Sequence, residues 1–237
     1  VLERAGISVP GGYEYTSPEA GMADYRMYAG KPVVIKPKST NFGLGITILK
    51  HKDDETDFKG ALQIAFEHDN TVLIEKLIPG REFRIFIIND EVVGILHRVP
   101  ANVTGDGVLN IGQLIDMKNE DPLRGKGYRT PLEKIRKGRE EEMFLKQQGM
   151  DFNTVPKERE VVYLRENSNI STGGDSIDFT DDIDDSYKAI AVEAAKALNV
   201  KITGLDMMIQ DIHAPATPDN YAIIEMNFNP AIHIHCY

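Results

Sequence analysis

The chain closes on two strand-length apolar runs, TGLDMMIQ (203–210) and YAIIEMN (221–227), joined by the loop HAPATPDN (213–220). Upstream, short apolar runs alternate with segments of helical spacing, which favours α/β or α+β over an all-helical or all-β chain. Residues 1–6 read as the tail of a helix stopped at Gly6. SPEAGMADYRMYAG (17–30) reads as a helix with Ser17 at its N-cap, Pro18 at its first position and Gly30 past its end. PVVIKP (32–37) is a buried-type strand, FKGALQIAFEHD (58–69) a helix, TVLIEKLI (71–78) a strand, and EFRIFIINDEVVGILHRV (82–99) a hairpin turning at Asn89-Asp90. A polar stretch from about 100 to 158 is expected to hold one charged helix, 131–149, within which EKIRKGRE (133–140) reads as a surface face. SYKAIAVEAAKALN (186–199) is the clearest amphipathic helix, and the acidic run DFTDDIDD (178–185) its solvated entry.

At 237 residues, 41% hydrophobic and 27% charged, the chain can bury a good core and reads as an ordinary globular protein. The net charge of −10, with no basic stripe, argues against a nucleic-acid partner. One cysteine, Cys236, permits no internal disulfide, and no apolar stretch approaches a membrane span. A cytoplasmic protein is expected, in which the sequons at Asn102 and Asn169 arise by chance. Val1 is no initiator, and no signal-like segment follows it, so the sequence is expected to begin inside a larger polypeptide.

Three motifs carry chemistry. Asp206 lies in one closing run, and Glu225 and Asn227, flanking Met226, share a face of the other. Two carboxylates and an amide suit Mg²⁺ or Mn²⁺; the alternative is acids at strand ends with an Asn in the following turn. IKPKSTNFGLGI (35–46) ends a strand at Lys36-Pro37 and enters a loop with Gly43 and Gly45, which can wrap phosphate or form a hairpin turn beside a surface lysine. In LIEKLIPGREF (73–83), a strand ending at Glu75 passes through a linker to Glu82, an arrangement that can read an adenine edge and ribose hydroxyls. HIHC (233–236) alternates His233 and His235 against Cys236, which favours pocket lining over metal. His97 is expected to point away from the face of Arg98.

The order of these motifs resembles the ATP-grasp superfamily over nearly the whole chain. More narrowly, KPKSTNFGLGI, RVPANVTGDG, DPLRG, RTPLEKI, LRENSNISTGGDSID and IEMNFNP resemble the glutathione synthetase part of the bacterial bifunctional glutamate–cysteine ligase/glutathione synthetases. Cyanophycin synthetase is similar in several of the same blocks. The resemblance implies an α+β fold of two lobes, 1–76 and 77–237, holding ATP between them. It implies Lys36 on the α and β phosphates and a loop with Lys38, Ser39, Gly43 and Gly45 closing on the γ-phosphate. Adenine falls to a hinge of Glu75, Lys76 and Ile78, ribose to Glu82, and Mg²⁺ to Asp206, Glu225 and Asn227.

The implied reaction activates a carboxylate as an acyl phosphate, which an amine then displaces, so positioning and charge carry the work. Arg98 is the first candidate for the transferring phosphoryl group, and Arg84 shares the face of Glu82. Arg165, with Asn167, Asn169 and the turn Ser171–Gly174, offers donors for the acyl phosphate or a substrate carboxylate. The implied partners are γ-glutamylcysteine, glycine and a covalently linked upstream glutamate–cysteine ligase region; a homodimer is left open. Other readings are a cyanophycin-like or other amino-acid ligase, and a non-catalytic ATP-binding module. An upstream phosphate-contacting lysine, an N-terminal substrate segment and a C-terminal helix usual in the family are not in this sequence. A fragment that folds, binds Mg·ATP and turns over weakly is therefore expected.

Overall fold

The computed structural model describes residues 1–40, 44–50, 52–127, 129–165, 168–230 and 232; the expectations for Gly43, Asn167, His233, His235 and Cys236 fall outside them. A single 3-10 turn, Glu3–Ala5, ends at Gly6 in the left-handed region. Strand β1 (Gly12–Tyr15) leads to α1 (Pro18–Ala23) and α2 (Tyr25–Tyr28). Ser17 caps α1 by accepting from the Ala20 amide at 3.2 Å. The single helix expected over 17–30 breaks at Asp24, whose carboxylate accepts the Tyr15 hydroxyl at 2.9 Å. An Asp side chain drawn to a tertiary partner here outweighs local helical spacing.

Strands β2 (Val33–Pro37) and β3 (Thr47–Leu49) precede α3 (Glu55–Phe66) and β4 (Val72–Lys76). The helix starts earlier than its apolar pattern because Asp54 and Asp57 form a reciprocal capping box. These strands form an antiparallel sheet in the order β1-β4-β2-β3. Phe58, Ala61, Leu62 and Ala65 of α3, spaced along one helical face, pack with Val33, Ile35, Val72 and Ile74. Each large side chain buried there contributes ~1.5–3 kcal/mol.

The hairpin is built from β5 (Arg81–Ile88) and β6 (Glu91–Val99), turning through Asn89 at φ 55°. An insertion follows: β7 (Asn102–Thr104), α4 (Ile111–Lys118), β8 (Arg124–Gly125), β9 (Leu132–Glu133), α5 (Arg139–Gln147) and β10 (Val161–Tyr163). It holds its own core, in which Val103, Ile111, Leu114, Ile115, Leu145 and Val162 are buried. This corrects the expectation of one helix over 131–149. Residues 132–133 pair with β8, α5 begins only at Arg139, and Glu133 and Ile135 are buried, so 133–138 is no surface helix.

The chain then runs through β11 (Asp175–Asp178), α6 (Asp185–Ala197), β12 (Ile202–Ile209) and β13 (Tyr221–Asn227). Asp184 caps α6 through the Ser186 amide, as the acidic entry implied. The second sheet is antiparallel in the order β11-β6-β5-β12-β13. One face carries Phe83, Ile85, Ile87, Ile95, Leu205, Met207 and Ile209 against Tyr187, Ala191 and Ala194 of α6. Ile7 joins this core, and the Ile223 amide donates to Ser8 O at 2.9 Å, so the first residues are tied to the second sheet. No helix among the described residues is long and apolar enough to cross a membrane.

Candidate active site

Period-two alternation sends the opposite face of the second sheet a different set of residues. Asp206 sits directly between Arg84 on β5 and Glu225 on β13, and Gly204 opposes Asn227. The Arg84 guanidinium grips Asp206 with Nε on Oδ1 and with Nη2 on Oδ2, the latter at 2.7 Å. Arg98 reaches Asp206 Oδ2 at 3.2 Å and also pairs with Glu82. Glu82 accepts the Ser168 hydroxyl at 2.9 Å. Glu82, Arg84, Arg98 and Asp206 thus form one continuous charged row, with Asp206 only 1% exposed and Arg84 8%.

Burial opposes the Arg84 charge, but Asp206, with Glu225 behind it, more than offsets this and leaves its pKa above the ordinary value. The Arg98 Nε–H is buried and has no hydrogen-bond partner among the described residues. An orphaned buried donor is a cost that an incoming acceptor relieves. Among the described residues no three His, Cys, Asp or Glu side chains gather to hold a metal ion. The expected set therefore consists of Asp206, the exposed Glu225 and the Asn227 amide, which are hard oxygen donors on adjoining strands and fit a divalent cation such as Mg²⁺.

His97 lies on the other face, as expected. Its Nδ1 is 2.9 Å from Glu82 O, and its ring packs near Phe83 and Phe179. Burial, helped by the Arg81 charge, lowers its pKa.

In the first sheet Lys36 pairs with Glu75 at 2.6 Å, joining the expected phosphate lysine to the expected hinge acid. Lys38 pairs instead with Glu14 at 2.8 Å. The Ser39 amide donates to Asp69 Oδ2 at 2.7 Å. Gly45 stands at φ 76°, where a side chain would also press on Pro37 and His68, so glycine is required in this loop. Lys76 is exposed and Ile78 half-buried, and the Lys76 and Leu77 amides are engaged by Gly11 O and Pro32 O.

Arg165 is not brought to the charged row. Its guanidinium pairs with Glu140 and with buried Glu141 of α5. Asn169 O accepts from the amides of Thr172 and Gly174 and so shapes the turn beside Ser168. That turn is held by a network the motifs did not single out. Buried Arg124 donates to Glu133 O at 2.9 Å and Gly173 O at 3.0 Å and pairs with Asp175, which also takes Lys118 at 2.6 Å and Asn102 at 2.8 Å. Asn102, Arg124, Gly173 and Asp175 come from the blocks RVPAN, DPLRG and GGDS, with Lys118 reaching in from the end of α4. Ser168 was likewise missed as a partner of Glu82.

The family model described as D-ala D-ala ligase C-terminus matches residues 12–113. The Glutathione biosynthesis bifunctional protein GshAB of Desulfotalea psychrophila is 60% identical over 237 residues, 100% of this chain and 30% of that protein. The GshAB of Clostridium perfringens is 54% identical, again over 100% of this chain and 30% of its own length. The crystal structure of a bifunctional glutathione synthetase from Pasteurella multocida superposes with TM-score 0.72 at 47% identity, covering 100% of this chain and 32% of that one. D-alanine–D-alanine ligase from Bacillus anthracis, with TM-score 0.56 at 19% identity over 98% of this chain and 55% of its own, shares the fold. The chain spans about a third of the bifunctional proteins it matches. With its antiparallel α+β sheets and this likeness along every residue, the chain has the ATP-grasp fold and is similar throughout to part of the bifunctional glutathione biosynthesis proteins.

Proposed function

We propose that this chain is an ATP-dependent carboxylate–amine ligase of glutathione synthetase type, joining γ-glutamylcysteine to glycine with release of ADP and phosphate. The observation that carries the reading is the charged row Glu82–Arg98–Asp206–Arg84 on one sheet face, in a chain matched throughout by bifunctional glutathione biosynthesis proteins. Residues 1–76 form one lobe and 77–237 the other, with ATP between them. Lys36 meets the α and β phosphates, Lys38, Ser39 and Gly45 belong to the loop over the γ-phosphate, Glu75, Lys76 and Ile78 form the adenine hinge, and Glu82 takes the ribose.

A carboxylate oxygen of γ-glutamylcysteine attacks the γ-phosphorus and ADP leaves; the glycine amine then attacks the acyl carbon and phosphate leaves. Arg98 holds the transferring oxyanion, its unpartnered Nε–H gaining an acceptor as negative charge develops. Asn169, through the turn beside Ser168, orients the acyl group, while Arg165, held by Glu140 and Glu141, braces α5. Asp206, Glu225 and Asn227 hold Mg²⁺ or Mn²⁺, which when bound neutralises phosphate oxygens. Arg84 holds the Asp206 carboxylate in place through its two-point grip. Cytoplasmic residence is part of the same proposal, as is linkage to an upstream glutamate–cysteine ligase region, the latter supported by the share of the relatives that the chain spans. Mass spectrometry of reactions containing Mg·ATP, γ-glutamylcysteine and a panel of amines tests it. Glutathione formed with glycine, and no product from other amino acids, supports the reading; a product from another amine alone contradicts it.

A further inference from the structure

A cavity of about 670 Å³ opens in the insertion, between the end of α4 and the segment running from Lys126 to Lys137. That volume lies within the range that accepts a metabolite-sized ligand. Among the described residues its lining holds four cations and three acids, with Ile135 as the only large apolar side chain, and so suits a polar ligand. One ion pair closes the wall, Lys137 with Asp116 at 2.6 Å. Lys126, Lys134 and Arg136 form no ion pair among the described residues, and Lys134 is half-buried. A partly desolvated cation with no ion-pair partner among the described residues favours an anionic group placed against it. Buried Glu133, whose Oε2 accepts from the Gly127 amide at 3.2 Å, and Glu120 stand in the same cavity. They disfavour a compact, highly charged anion and suit an ammonium group.

We infer that this cavity binds a small zwitterionic peptide carrying more carboxylates than ammonium groups, its carboxylates on Lys126, Lys134 and Arg136 and its ammonium toward Glu133 and Glu120. The site is separate from the charged row and stands apart from the ligase reading. It also abuts the turn at 171–174. The floor is fixed by Asn119, which donates to Ile135 O and accepts from Ile135 N, each at 2.8 Å. Behind that floor, a Cβ on Gly173 would lie 2.7 Å from Ile135 Cα, so the turn packs directly against the floor.

The test is calorimetric titration of the chain with glutathione as probe, and separately with inorganic phosphate, at fixed salt and without nucleotide. The K134Q/R136Q double variant changes exposed or half-buried side chains, and an unchanged melting temperature verifies its fold; K126Q is the second variant. Loss of charge-assisted contacts is expected to weaken glutathione binding about 10-fold or more in K134Q/R136Q and less in K126Q, with R98A unchanged. Binding lost in R98A but kept in K134Q/R136Q would place the peptide in the charged row and overturn the inference. Phosphate binding as tightly as glutathione, or no glutathione binding at millimolar concentration, would overturn it too.

Discussion

The two large sheets place charge in opposite ways. In the first, Lys36 and Glu75 meet near the strand ends with side chains 19% and 17% exposed, and the pair Lys38–Glu14 stands open to solvent. In the second, Arg84 and Asp206 are buried in mid-strand and grip each other, and half-buried Arg98 joins them from near the end of β6. Open pairs of long side chains add little to stability and are free to follow a ligand. A buried pair is costly to break because the survivor is left charged and desolvated. Function and folding are therefore separable in the first sheet and entangled in the second.

Asp206→Asn is expected to give the largest effect. Removing the shared carboxylate charge from two arginines should cost about 3 kcal/mol in denaturant unfolding as well as abolish turnover. Glu225→Gln, at an exposed position on the same face, should leave stability within about 0.5 kcal/mol and still reduce ADP formation about 100-fold. Equal stability of both variants would break the contrast between buried and open charge.

Next is Gly173→Ala, where φ of 92° and the Ile135 backbone both oppose a side chain. A loss of about 1–3 kcal/mol by thermal unfolding is expected. An unaffected melting temperature would show that the insertion does not clamp the turn.

A smaller effect concerns pH. His97 titrates below its ordinary value of 6.5 because burial and then Arg81 disfavour its charged form. The unfolded chain therefore binds the proton first, and stability should fall as pH drops below about 6.5. Replacing His97 with Gln should flatten the melting temperature between pH 7 and 5.5; an identical slope would contradict the assignment. Lys36→Gln should likewise change stability little, by under about 1 kcal/mol, with a clear loss of ATP affinity in a nucleotide titration.

Local chemistry in the sequence revealed much of this fold. YAIIEMN became a strand over the same residues, and the acidic run before SYKAIAVEAAKALN became the cap of α6. Alternation alone put Glu225 and Asn227 on one face; Asp206, on another strand, joined them only through the strand pairing. What escaped was non-local. Arg84 and Asp206 are 122 residues apart and Ser168 and Glu82 86 apart, so strand order, not motif spacing, joins them. The insertion core escaped for another reason. Asn110 and Gln113 form a capping box ahead of Ile111, Leu114 and Ile115, a signal present in NIGQLID but short enough to be lost in polar surroundings.

The most direct measurement is ADP release from Mg·ATP, with γ-glutamylcysteine and glycine supplied together and singly. Release that requires both substrates and collapses in Glu225→Gln is the result this account predicts. ATP binding without release when both are present, or release independent of either, would contradict it.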